Sequence, residues 1–153
     1  MESLNTAYID LMRDNVYPPE ARKANRIAIV SLCLAKRKPW VLKHLSQHLI
    51  LAVCPEEHHI NTIGFKVLGV LVRVKPVEVT VLTVDGSMHC IQLHYMVEEL
   101  SRAFNVERRH LVLHEGEILE IDKRVIKASR FLSRVQKLYE RCSVLGGEAS
   151  KNV

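Results

Sequence analysis

Apolar residues recur with two different periods along this chain, and the period changes near residue 46. Before that point the spacing is three to four residues, which predicts helices over residues 3–12 and 19–34 and a short one starting at Pro39. The apolar stripes are Leu4, Tyr8, Leu11 and Met12 in the first helix, and Ile27, Val30, Ser31 and Leu34 in the second. Residues 1–46 are therefore expected to form a helical segment that packs on the core.

After residue 46, short apolar or β-branched runs alternate with helical stripes. The runs 48–53, 77–84 and 110–114 predict strands, and Glu115-Gly116 favours a tight turn into a further strand over 117–121. Helices are predicted after Pro55, after Ser87 and from Asp122, which caps a long final helix ending near residue 141.

This order of strands and helices predicts an α/β fold. Strands joined by helices imply right-handed crossovers and parallel pairing. We expect a small, mainly parallel sheet in a three-layer arrangement, with about three parallel strands, an antiparallel edge strand and N-terminal helical additions. The α/β core is assigned to residues 47–142, and the polar residues 143–153 are expected to be a disordered tail.

The composition is that of a single globular domain. The chain has 153 residues, of which 48% are hydrophobic and 25% charged, and this excludes disordered and low-complexity classes. No apolar run approaches the roughly 20 residues that span a bilayer, and no secretion signal is recognised, so a soluble cytoplasmic protein is expected. The four cysteines form no CxxC pair and are expected to be free thiols. The scarcity of glutamine favours a thermophilic source.

Cysteine, histidine and carboxylate side chains follow the three predicted parallel strands. Because ligands of open α/β sheets bind beyond the carboxyl ends of the strands, these residues are expected to meet at one edge. They are Cys54, His58 and His59 after the first strand, Asp85, Gly86, Ser87, His89 and Cys90 after the second, and His114 at the end of the third.

The leading interpretation of this cluster is a metal site in a ligand-binding or redox protein. Thiolate and imidazole are the ligands preferred by zinc and iron–sulfur centres. The predicted ligands are Cys54, His89 and Cys90, completed by His58 or His59. Asp85, Gly86, Ser87 and His114 are expected to orient the ligand or bind it.

Other interpretations of the same residues stay open. Cys90 at a helix start beside His89 is typical of an activated thiol nucleophile. The turn from Asp85 to Ser87 is typical of a helix start that binds phosphate. Against both, Cys90 shares a stripe with apolar residues, as an ordinary core cysteine does. Cys33 and Cys142 are interpreted as packing residues. Whether the protein is an enzyme is left undecided.

The basic charge is concentrated in the last predicted helix. Six basic residues recur there at spacings of three and four, which places them along one face of a continuous helix. They are Lys123, Lys127, Arg130, Arg134, Lys137 and Arg141. The rival hypothesis is therefore a nucleic-acid-binding or assembly protein that binds an anionic partner on this face. A solvated amphipathic face is the plainer interpretation. No membrane partner is expected, and an oligomer is allowed.

Overall fold

A computed structural model of the protein describes residues 7–19 and 21–145, and it has an α/β architecture. The strands are β1 (Ile9–Asp10), β2 (Arg26–Ser31), β3 (Leu49–Val53), β4 (Glu78–Val84), β5 (Glu107–His114) and β6 (Glu117–Ile121). The α-helices are α1 (Leu32–Arg37), α2 (Ile60–Val74), α3 (Ile91–Phe104), α4 (Lys123–Ser129) and α5 (Leu132–Leu145). Two 3-10 helices cover Ala21–Lys23 and Pro39–Leu45.

The strands form one sheet in the order β1-β3-β2-β4-β5-β6. All neighbours are parallel except β5 and β6, which form an antiparallel hairpin. The hairpin turns at Glu115 and Gly116, which have φ angles of 47° and 86°. The prediction of a mainly parallel sheet with an antiparallel edge strand is thereby confirmed.

The predicted N-terminal helices are wrong where two strands form instead. Ile9–Asp10 pairs with β3, and Arg26–Ser31 is the strand between β3 and β4. A strand buried on both faces is apolar almost throughout, so β2 shows no alternation, and its residues coincidentally match a helical stripe. The division at residue 46 therefore does not separate the sheet from an appendage. Ser3 and Leu4, expected to begin the first helix, lie outside the described residues.

The sheet is covered on both faces, as the three-layer prediction requires. On one face, α2 and α3 pack on odd-numbered residues of the central strands, including Ile29, Leu51 and Val81. On the other, α1 and the 3-10 helix Pro39–Leu45 pack on residues that include Ala28 and Ala52. Small residues on the second face let the short helical segment lie close to the sheet.

The chain after Ile121 forms a second compact unit, built from α4 and α5. Asp122 caps α4 as predicted, since its Oδ1 accepts a hydrogen bond of 2.7 Å from the Arg124 N–H. The single long helix is wrong, because α4 ends at Ser129 and α5 begins at Leu132, so Arg130 and Phe131 interrupt the helix. There the Ser129 hydroxyl donates to the Ile126 carbonyl, and the Phe131 N–H bonds three residues back to Ala128.

The break changes the predicted basic stripe. Lys123 and Lys127 lie on α4, and Arg130 lies at the break. The remaining three members, Arg134, Lys137 and Arg141, lie on α5. The six residues therefore do not follow one continuous helix. The helix α5 continues to Leu145 where a disordered tail was expected from residue 143, and residues 146–153 lie outside the described part.

None of the helices in the described part of the chain is both long and apolar enough to cross a membrane. The thermophilic source stays a prediction.

Because β2 is central, we expect two variants that shorten an aliphatic side chain to differ strongly in their free energy of unfolding. Ile29→Ala removes a fully buried side chain and should lower the free energy of unfolding by about 2–5 kcal/mol. Leu119→Ala, on the exposed edge strand β6, should lower it by less than about 1 kcal/mol. Urea denaturation of the two variants and the parent measures both values. Equal effects would contradict a central β2.

Candidate functional site at the carboxyl edge of the sheet

The strand order creates a crevice between β2 and β4. After β2 the chain passes through α1 to β3 on one face of the sheet, and after β4 it passes through α3 to β5 on the other face. The neighbouring strands β2 and β4 thus send their connections in opposite directions. Ligands of open α/β sheets bind beyond the carboxyl ends of the strands at such a switch point.

Polar side chains of both strands meet at this point. Because Val30 pairs with Leu82, Ser31 and Thr83 are neighbours on β2 and β4 and lie on the same face. Both are buried. The Ser31 Oγ lies 3.3 Å from the sulfur of Cys90, which directly precedes α3.

Cys90 was predicted to be a site residue, and its surroundings are unusually polar for a core cysteine. It is buried with 7% of its surface exposed, and its N–H donates a hydrogen bond of 3.2 Å to the Ser87 Oγ. Ser87 therefore holds the turn that leads into α3. Cys90 contacts Ser31 across the switch point, so the turn after β4 is tied to the end of β2.

Three of the four cysteines surround the carboxyl ends of β2, β3 and β4. Cys33 lies in α1 directly after β2, and Cys54 follows β3. Burial of the sulfur raises the pKa of the Cys33 thiol, and electrostatic repulsion from Cys90 and, more weakly, Cys54 raises it further. Taken over the whole residue, Cys33 is exposed to solvent, Cys54 is partly exposed and Cys90 is buried. Cys33, first interpreted as a packing residue, thus belongs to this cluster.

The predicted metal ligands do not come together. Since β2 lies between β3 and β4, Cys54 and Cys90 start from strands roughly 10 Å apart. Cys54 packs in the core on the α1 face, whereas Cys90 bonds to Ser31 on the opposite face. Sulfur ligands of one zinc ion are only about 4 Å apart. Within residues 7–19 and 21–145, no group of three or more His, Cys, Asp or Glu side chains is arranged to hold a metal ion.

The other predicted ligands have local roles. The His59 Nδ1 accepts a bond of 3.3 Å from the Asn61 N–H and caps α2, which begins at Ile60 and not at Pro55. His58 and His89 are half-buried. The predicted set of Cys54, His89, Cys90 and His58 therefore does not form a zinc or iron–sulfur site in this structure.

Two of the predicted ligand-binding residues do meet, at the ends of β4 and β5. The Asp85 carboxylate lies 3.1 Å from the His114 Nδ1, and both side chains are about half exposed. The Asp85 N–H also donates to the Leu113 carbonyl. Gly86 follows with a φ of 78°, which only glycine adopts without strain, so the turn after Asp85 depends on it. This pair forms a polar rim beside the switch point.

A chain of buried hydrogen bonds leads away from the switch point along α3 and β5. The Thr83 Oγ1 lies 2.9 Å from the His94 Nε2, and the His94 Nδ1 lies 2.9 Å from the His110 Nδ1. The His110 Nε2 lies 2.8 Å from the Glu98 carboxylate. Arg108 completes the chain with two bonds to Glu98, of 2.8 and 3.2 Å. The first four residues are buried, and Arg108 reaches the surface.

The chemistry of the side chains determines which atom donates and which accepts in each of these hydrogen bonds. A carboxylate only accepts, so the His110 Nε2 must donate to Glu98. The Nδ1 of neutral His110 then accepts from the His94 Nδ1, which leaves the His94 Nε2 to accept the Thr83 hydroxyl hydrogen. One negative and one positive charge, Glu98 and Arg108, therefore hold two neutral imidazoles and a hydroxyl in single orientations.

The pKa shifts agree with neutral imidazoles. Burial, together with the neighbouring His110, lowers the pKa of His94 to about 3. Burial also lowers the pKa of His110, although Glu98 acts in the opposite sense. For Glu98, burial alone would raise the pKa, but hydrogen bonds from Arg108 and His110 outweigh it and lower the pKa. The ion pair is thus Glu98 with Arg108, and His110 contributes a neutral hydrogen bond.

The sequence carries a signal for these buried hydrogen bonds that the apolar stripes alone do not show. Cys90, His94 and Glu98 are spaced four residues apart, so they follow one line along α3 beside the apolar stripe of Leu93 and Val97. Polar residues at this spacing on a buried flank need partners. His110 supplies one from the middle of β5.

Comparison with known protein families agrees with the strand order and the switch point. A family model described as a Rossmann-like domain matches residues 20–143. This chain belongs to the Rossmann-like domain family. The matched region of the Rossmann-like domain begins before the 3-10 helix Ala21–Lys23 and ends within α5, so it includes β2 to β6 and leaves out β1. No curated protein and no solved structure matches the chain. Membership defines the fold and leaves the function to be argued from the site.

The buried imidazoles predict that acid destabilises this Rossmann-like domain. Below pH 6.5 the unfolded chain protonates His94, whereas the folded chain does not until about pH 3. Stability is therefore lost as the pH falls through this window, by up to about 1.4 kcal/mol per pH unit for one histidine. His94→Gln removes this titration and should make the loss less steep.

Urea denaturation at pH 6.5, 5.75 and 5.0 measures the slope. This range lies above the ordinary pKa of Glu98, so that group adds little. Gln92→Ala, on the same helix, is the matched control, because it removes no titratable group and should leave the slope unchanged. A His94→Gln variant with the parent's slope would contradict the assignment of a neutral buried His94.

Proposed function

We propose that this Rossmann-like domain is a thiol redox protein that forms a reversible disulfide at the switch point between β2 and β4. The observation that carries the proposal is the placement of Cys33 and Cys90 directly after the neighbouring strands β2 and β4, at the carboxyl edge of the sheet, with Cys54 after β3. Four free cysteines without CxxC spacing fit a reducing, cytoplasmic setting in which a disulfide is transient.

Cys33 is the attacking thiol, and Cys90 is its partner. Cys33 is exposed, whereas Cys90 is buried beside Ser31, so only Cys33 meets a co-reactant from solvent. Cys33 lies at the start of α1, directly after β2, and Cys90 directly precedes α3, after β4, so the two residues flank the switch point.

The oxidant is a low-molecular-weight disulfide, and the reaction balances in two steps. The Cys33 thiolate attacks one sulfur of the oxidant, and one thiol leaves after taking up a proton. The Cys90 thiolate then attacks the Cys33 sulfur of the mixed disulfide, and the second thiol leaves. Both electrons pass from the two cysteines to the oxidant, and a dithiol reductant reverses the exchange.

Oxidation by glutathione disulfide tests the proposal on the full chain. Peptide mapping after alkylation should show a Cys33–Cys90 disulfide that dithiothreitol reverses. Cys33→Ser should abolish it, and Cys142→Ser, which removes an exposed cysteine outside the sheet, should leave it unchanged. Since the pKa of Cys33 is raised, the rate should increase about tenfold per pH unit from pH 7 to 8.

Two results would contradict this proposal. One is a stable mixed disulfide of glutathione at Cys33 that no second thiol resolves. The other is oxidation of the Cys33→Ser variant at the parent's rate, which would place the reactive thiol elsewhere. A disulfide between Cys33 and Cys54 would retain a redox role but reject Cys90 as the partner.

A further inference from the structure

The unit 122–145 carries an apolar groove between its two helices. The groove has a volume of about 570 Å³. Val125 and Ala128 of α4 line it together with Val135 and Leu138 of α5. Val125, Val135 and Leu138 are each between 41% and 56% exposed, a high fraction for large aliphatic side chains that share one groove.

Basic charge borders this groove. Residues 122–145 contain seven basic and two acidic residues, a net charge of +5 that equals the net charge of the whole chain. On α5, Arg134, Lys137 and Arg141 recur at spacings of three and four. Val135 and Leu138 are three residues apart, and each directly follows a member of this basic stripe. The two stripes are therefore adjacent along the helix, with the basic stripe beside the apolar one.

The two acidic residues do little to offset this charge. Asp122 is engaged by Arg124, whose Nη2 lies 2.7 Å from its carboxylate. Glu140 accepts a bond of 2.9 Å from the amide of Gln136. For Lys137 and Arg141, no ion pair occurs among the described residues. A partner with carboxylates beside an apolar seam would complement both stripes at once.

We propose that the groove of the 122–145 unit binds an amphipathic helix of a partner protein, with leucine-type side chains in the groove and acidic residues against the basic stripe. Helix-in-groove recognition anchors apolar residues at spacings of three, four and seven. In a dimer formed through this groove, two units with a net charge of +5 each would face one another, so electrostatic repulsion disfavours a second copy as the partner. A nucleic-acid backbone would satisfy the basic residues and leave the apolar groove uncovered.

A designed peptide tests the proposal with the full chain. The probe is a fluorescein-labelled 18-residue helix with leucines on one face and glutamates on its flanks. A permuted peptide of the same composition without an apolar face is its control. Fluorescence anisotropy should show binding of the probe at least tenfold tighter than that of the permuted peptide, weakened as salt increases.

Matched variants locate the site. Leu138→Asp lies in the groove and should weaken binding at least tenfold, whereas Leu132→Asp, on the same helix, 80% exposed and outside the groove lining, should change it less than twofold. Lys137→Glu with Arg141→Glu should also weaken it, and Arg22→Glu, exposed in the other unit, should not. Circular dichroism of each variant verifies that it folds.

Three outcomes would overturn the proposal. Equal binding of the probe and the permuted peptide would show that the interaction depends on charge and not on an apolar helix face. Displacement of the probe by duplex DNA or RNA, with tighter binding of the nucleic acid, would assign the surface to nucleic acid. A dimer in sedimentation experiments that Leu138→Asp disrupts would assign the groove to a second copy. None of these depends on the cysteines, so the redox proposal stands or fails separately.

Discussion

The burial of β2 on both faces and along both edges is the constraint on which the rest of this structure depends. A backbone in that position has no access to water, so its N–H and C=O groups must pair with β3 on one side and β4 on the other. Because β2 leads to β3 on one side and β4 leads to β5 on the other, right-handed crossovers place the two connections on opposite faces of the sheet. The switch point and the distance between Cys54 and Cys90 both follow from this one placement.

The hydrogen-bonded chain from Thr83 to Arg108 is the second feature that orders this region. Glu98 is a charge in a buried layer, and the bidentate Arg108 offsets the cost of its desolvation. His110 and His94 continue the chain as neutral groups, so a single ion pair orders polar side chains as far as β4. The same contacts hold α3 against the sheet and so keep Cys90, which precedes α3, beside Ser31.

Periodicity predicted the later part of the fold because β3, β4 and the β5–β6 hairpin are clearly separated by helical stripes. It failed for β2, since a short run such as Ile27–Val30 satisfies a buried strand and a helical turn equally well. For the site, the sequence predicted that Asp85 and His114 lie at the same edge of the sheet, and the structure places the two side chains 3.1 Å apart. It did not indicate that β2 separates Cys54 from Cys90, because strand order depends on pairing between distant segments. The break at Arg130 carries no proline or glycine, and a side-chain bond from Ser129 marks it only in three dimensions.

The two edges of the sheet limit how this domain associates with other chains. One edge is the two-residue strand β1, and the other is β6, which carries Glu117 and Glu120 and is tied to β5 by the pair of Arg109 with Glu120. Short edges and charged edges both oppose the addition of a foreign strand. Polymerisation through the sheet, a hazard for five parallel strands rich in valine and isoleucine, is thereby discouraged. Specific association is left to the helical surfaces.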